Sequence, residues 1–186
     1  SMAAVRFGFF ELYAPLNDAK CFDTSLRNGT ITELSFLSNV ISPLVKAYKA
    51  GDEFEVSRIV RCNSLLLEEN QLISQKDQIS ALRNVEMAVD SLMELWKGDK
   101  EPICLDILQS IKNTGLFVLD SRVDDILKAP LEDEPKKVSA LREALKVPFS
   151  TLERYSEYVT DKTRFATHQG VKGLEFPRVM VIMDDA

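Results

Sequence analysis

Six residues near the C-terminus have types and spacings that could do chemistry: Thr167, Gln169, Gly170, Lys172, Gly173 and Glu175, within the stretch THQGVKGLEF. The two glycines let the backbone take positive φ and approach a ligand closely. Bare N–H groups in such a loop can point at a phosphate. Thr167 offers a hydroxyl and Gln169 an amide, both able to hydrogen-bond a phosphate or a sugar without carrying charge. Lys172 adds one positive point charge. Glu175 is an acceptor-only carboxylate, suited to the hydroxyls of a ribose. Taken as spacing alone, a two-glycine loop is also what an ordinary strand-to-strand turn contains.

Positioning such a loop takes strands on either side of it. The period of the sequence changes at Thr163: RFATHQ alternates as a short strand does, and RVMVIM is a continuous apolar run, as in a strand covered on both faces. Strands of that kind belong to parallel sheets flanked by helices, and two of them do not make a stable sheet by themselves. The GLEF stretch has room for one helical turn. The segment 161–186 is therefore expected to be the start of an α/β sheet, cut short, and the whole chain a piece of a larger protein. Ser1 ahead of Met2 is expected to be a cloning remnant, with the natural start upstream.

From Val5 to Thr160 the pattern is helical. Thr30 and Glu33 have capping-box spacing ahead of an apolar stripe from Ile31 to Tyr48, with Pro43 expected to kink or split it and Gly51 to stop it. Asp52 should start a shorter helix that turns Val56, Ile59 and Val60 inward. The longest helix is expected over 75–97, burying Ile79, Leu82, Val85, Val89, Leu92, Met93 and Trp96. Pro102 should sit in the first turn of the next helix, which Gly115 closes. A short helix follows Asp120, KAPLEDEPKK reads as an exposed connector, and helices over 138–146 and 150–159 complete the region, the last with Ser150 and Glu153 as a capping box. The expected fold class is mostly α: a helical subdomain, 1–160, followed by a truncated α/β piece, 161–186.

The chain has 186 residues, 45% hydrophobic and 28% charged, with seven glycines and seven prolines, a soluble globular balance. No apolar run approaches the ~20 residues that span a bilayer, and no signal peptide is visible. Cys21, Cys62 and Cys104 are odd in number and far apart, and His168 has no cysteine near it, so neither a zinc site nor a disulfide framework is expected. Buried reduced thiols and a cytoplasmic setting fit. The net charge of −6 provides no long-range attraction for nucleic acid, so weak binding of single-stranded DNA is expected from the chain alone.

The string THQGVKGLEFPRVMVIMDD resembles motif V of superfamily 1 DNA helicases of the UvrD/Rep type, with Thr167, Lys172, Gly173, Leu174, Glu175 and Phe176 at matching places. More loosely, MAAVRFGFFELYAPL resembles the segment leading into the helical 2B insertion of those enzymes, and the helical region sits where that subdomain would sit. The resemblance implies that 161–186 begins a RecA-like 2A domain. It implies Glu175 at the ATP ribose, Gly173 near the terminal phosphates with Lys172 beside it, and Thr167 on the single-stranded DNA backbone. The family histidine that contacts DNA aligns with Gln169; His168 falls at the intervening position and is expected to be structural. The intact enzyme would use ATP and Mg²⁺ to translocate on single-stranded DNA and unwind duplex.

The sequence holds no GxxxxGK[ST] phosphate loop, and no catalytic residue or metal ligand is assigned. Phosphoryl transfer needs such parts, so the chain alone is expected not to hydrolyse ATP and to carry no bound cofactor. The strand candidates around 163–167 and 179–183 are expected to pack on the helices or to pair with a second copy as a dimer. Protein partners through the helical subdomain are expected, a membrane is not. Two other readings stay open: a helical interaction or adaptor module whose glycine loop is only a turn, and a helicase fused to a nuclease.

Overall fold

A computed structural model describes residues 2–64, 75–130 and 133–160, the side chains of 75–77 excepted. The described residues are mostly helical, and no strand occurs among them. The helices are α1 (Met2–Arg6), α2 (Phe10–Asp18), α3 (Asp23–Asn28), α4 (Thr32–Phe36), α5 (Ser42–Ala50), α6 (Glu53–Asn63), α7 (Gln75–Met93), α8 (Cys104–Thr114), α9 (Ser121–Leu127), α10 (Lys136–Ala144) and α11 (Phe149–Val159). α10 lies on α2, α7 on α8, α5 on α6, and α9 on α10. One core joins them, with Phe9, Leu12, Leu16, Leu34, Leu37, Ile41, Leu92, Ile107 and Leu108 fully buried.

Local signals set many of the ends. Gly51 and Gly115 take left-handed φ of 71° and 65° and close α5 and α8, where a side chain would be strained. Asp52 caps α6, accepting from the Glu55 N–H at 3.0 Å, and Asp120 caps α9, accepting from the Arg122 N–H at 2.9 Å. α7 runs on through a 3₁₀ turn to Trp96, close to the expected span.

The helical backbone runs through Pro43, and the disturbance falls on the turn before it. A π turn over Leu37–Ile41 joins α4 to α5, and the Ser42 N–H donates to the Leu37 carbonyl. The wider turn shifts the hydrogen-bond register just where proline can donate nothing, leaving Pro43 in the first turn of α5.

Other local expectations gave way to tertiary contacts. α4 starts at Thr32, with no side-chain cap from Thr30, and the Glu33 carboxylate is buried 3.3 Å from the Arg122 guanidinium. Pro102 precedes α8 and lies outside its first turn. Its carbonyl accepts from the Phe149 N–H at 3.0 Å, while the first N–H groups of α8, on Cys104 and Leu105, donate to the Val147 and Leu145 carbonyls. Ile79 and Leu82, expected in the core, are exposed, because the packing of α7 begins only at Val85. Of the three thiols only Cys104 is buried; Cys62 is exposed and Cys21 lies between helices. Lys136 and Lys137, assigned to the connector, belong to α10.

Arg142 of α10 is a buried cation. Its Nε and Nη2 donate to the Ile126 and Asp125 carbonyls at 2.8 and 2.7 Å, capping α9. Its Nη1 reaches Glu134 Oε2 at 2.6 Å. Every face of the guanidinium is thus matched, and removing it strands both a half-buried carboxylate and a helix terminus.

Arg142→Met is expected to destabilise the chain by about 3 kcal/mol in urea unfolding. A change near zero would show that the cluster contributes nothing net. Acid sensitivity is the second expectation for this region. The Arg122 N–H on Asp120, and Lys112 beside Asp124, hold both carboxyls below their ordinary value of 3.8. Lowered folded values mean stability that is complete above the unfolded pKa and lost as pH falls through the folded one. Thermal unfolding followed from about pH 5 to about pH 2 should therefore lose less stability in Asp120→Asn/Asp124→Asn than in the parent chain. Equal slopes would remove these two groups from the acid limb.

Candidate functional site

Thr167, Gln169, Lys172, Gly173 and Glu175 lie outside the described residues, as do His168 and both strand candidates. What the structure provides is the element that leads into that segment. α11 ends at Val159, with Thr160 after it, and Thr163 follows three residues later in the sequence.

Contacts from distant parts of the chain hold α11 along its length. At its start the Ser150 N–H and hydroxyl donate to the two oxygens of Glu101, at 2.8 and 2.7 Å. The expected Ser150–Glu153 capping box is therefore absent; α11 begins one residue earlier, after Pro148, and Glu101 serves as its cap. Glu153 instead faces α5, where the Ser42 hydroxyl donates to it at 2.7 Å and the Lys46 ammonium lies 3.1 Å away. Mid-helix, the buried Tyr155 hydroxyl donates to the Leu26 carbonyl at 2.6 Å. Burial pushes the Tyr155 phenol well up from its ordinary value, so it remains a donor throughout the accessible pH range.

Aromatic rings complete the hold. Phe9 meets Tyr155 edge-on at 5.7 Å and Tyr158 at 5.2 Å, and Trp96 meets Phe149 edge-on at 5.5 Å. At the far end Gly29 faces Val159: a Cβ there would lie 2.8 Å from a valine methyl, and φ at Gly29 is +67°. Glycine is needed at that position for two reasons, conformation and space.

Two clefts flank α11. One, of about 360 Å³, is lined by Lys46, Lys49, Trp96, Lys100, Glu101 and Glu153. The Lys49 ammonium sits 5.8 Å from the Trp96 ring centroid, a cation–π contact. Three lysines against two carboxylates leave one excess charge, too little for strong attraction of a polyanion. The other cleft, of about 320 Å³, is walled by Phe9, Tyr13, Leu26, Arg27, Tyr155 and Tyr158. Neither brings a nucleophile and a base together. Burial pushes the Cys104 thiol up to about 12, which keeps it protonated and unreactive at neutral pH. Among the described residues no group of acidic, histidine or cysteine side chains could hold a metal ion, and no helix is long and apolar enough to cross a membrane.

The partners of α11 escaped sequence reasoning because they lie far away in the chain. Ser150 and Glu153 match a local cap, and nothing in the string points to Glu101 or Ser42. No family model, curated protein or solved structure matches this chain.

Tyr155→Phe removes a buried donor and leaves the Leu26 carbonyl unmatched, so it is expected to cost about 1–3 kcal/mol in chemical denaturation. Amide exchange over 149–159 should quicken with it. Unchanged exchange along α11 would show that the tyrosine hydroxyl does not hold the helix.

Proposed function

We propose that this chain belongs to an ATP-dependent DNA helicase of the UvrD/Rep type. Residues 1–160 form its helical 2B-type subdomain, and 161–186 begin its RecA-like 2A domain. The observation that carries this reading is the string Lys172-Gly173-Leu174-Glu175-Phe176 with Thr167 upstream and the apolar run Val179–Met183 after it. The mostly helical body that precedes the string supports it.

In the intact enzyme Glu175 accepts hydrogen bonds from the ribose hydroxyls of ATP, and the backbone at Gly173, with the Lys172 ammonium, lies toward the phosphates. Thr167 and Gln169 donate to phosphate oxygens of the single strand. One short loop thereby touches both ligands, which is how a change at the nucleotide can alter the grip on DNA. Gln169 donates without charge, so this DNA contact is independent of pH over the range in which a histidine would titrate. The helical body contributes no chemistry; it is a scaffold that regulates opening and offers surface to duplex or to protein partners. ATP hydrolysis, Mg²⁺ binding and unwinding are activities of the intact enzyme.

The adaptor reading, a helical interaction module whose glycine loop is merely a turn, makes the opposite forecast for these residues. In the intact protein Glu175→Ala and Gly173→Val are expected to lower DNA-stimulated ATP hydrolysis by about 10²-fold or more while leaving the helical circular dichroism intact. Native turnover and unwinding in both variants would refute the helicase assignment and favour the adaptor.

A further inference from the structure

The apolar stripe of α7 outruns the core. Val85, Val89 and Leu92 are buried, whereas Ile79 and Leu82, on the same stripe two turns and one turn earlier, remain 49% and 53% exposed. Beside them α6 and the end of α5 form the opposite wall of a groove of about 550 Å³. Its floor is apolar, made by Val56 and Val60 of α6 and by Leu82, Val85 and Val89 of α7. These positions are spaced i, i+4 on one helix and i, i+3, i+7 on the other, the two ridges between which a third helix packs.

The rim is acidic. Asp52, Glu53, Glu86 and Asp90 line it against a single base, Arg61. Asp90 accepts from the Tyr48 hydroxyl at 3.0 Å, which fixes its carboxylate at the edge of the groove. Among the described residues no lysine or arginine forms an ion pair with any of the four carboxylates.

We propose that this groove is a docking site for an amphipathic helix of a partner protein, with an apolar face for the floor and lysines or arginines toward the rim. Charge selects that occupant. A second copy of this chain carries a net charge of −6, and the connecting stretch 65–74, LLLEENQLIS, holds two glutamates and no base, so neither complements four carboxylates. A helix laid in a groove reads out its i, i+3, i+4 and i+7 anchors, which matches the floor. The inference stands on the groove alone and is independent of the helicase reading.

The test uses the 186-residue chain and a fluorescent, end-capped peptide of about 16 residues, leucine on one helical face and lysine on the other, followed by anisotropy. Binding is expected to weaken about tenfold or more in Leu82→Asp, and by a similar factor in Glu53→Lys/Glu86→Lys. A peptide with glutamate in place of lysine should not bind. Leu82 is half exposed, so the thermal melt of its variant should match the parent's. Equal affinity of Leu82→Asp would overturn the proposal, because the peptide would then be sensing net charge alone. So would self-association of the native chain in sedimentation that Leu82→Asp abolishes, since a second copy would then cover the groove.

Discussion

The hold on α11 is the constraint on which the rest of this molecule depends. A buried tyrosine hydroxyl aimed at the Leu26 carbonyl costs little only while that carbonyl is there to receive it. That one bond ties the final described helix to α3, and Phe9 packs on the same ring from the start of α2. Glu153 ties the helix to α5, and Glu101 ties it to the approach of α8. Residues from Phe9 near one end of the chain to Glu101 thus converge on one eleven-residue helix, and α11 cannot shift without disturbing several helices at once. The chain then passes into the segment whose residues carry the chemical reading.

The same logic of matched buried polar groups runs through the body. Arg142 caps α9 from α10 and is itself balanced by Glu134. Glu33 is the exception, a buried carboxylate whose oxygens accept no hydrogen bond and face Arg122 at 3.3 Å. Arg122 is partly solvated and also donates to Asp120 and to the Thr32 hydroxyl, so its charge is divided between the Glu33 contact and two hydrogen bonds. These clusters join neighbouring helices at points where their termini would otherwise be left unmatched.

How much of this was legible in the string follows from the range of the interaction. Gly51, Asp52, Gly115 and Asp120 act within a few residues of themselves, and each did what its type and place foretold. Thr30, Ser150 and Glu153 have the same local credentials, but partners 49 and 111 residues away took over the last two, and Thr30 caps nothing. Pro43 was legible as a disturbance and not as the π turn that absorbs it. Ile79 and Leu82 show the limit of periodicity: it says which side chains share a face, not how far along the helix a neighbour extends. The helical class of the body was legible from composition and period. Residues 167–175 lie outside the described residues, so their reading rests on residue chemistry and on the family resemblance.

On the proposed reading, the helical body and the firmly held α11 lead into residues that meet nucleotide and single strand together. That proposal turns on recognition of a ribose by Glu175. The most direct measurement is the preference of the intact protein for ATP over 2′,3′-dideoxy-ATP, compared between the native protein and Glu175→Gln. The account predicts a native preference of about tenfold or more, as expected for lost hydrogen bonds to a carboxylate, and its collapse in the variant. The same preference in both proteins would contradict it.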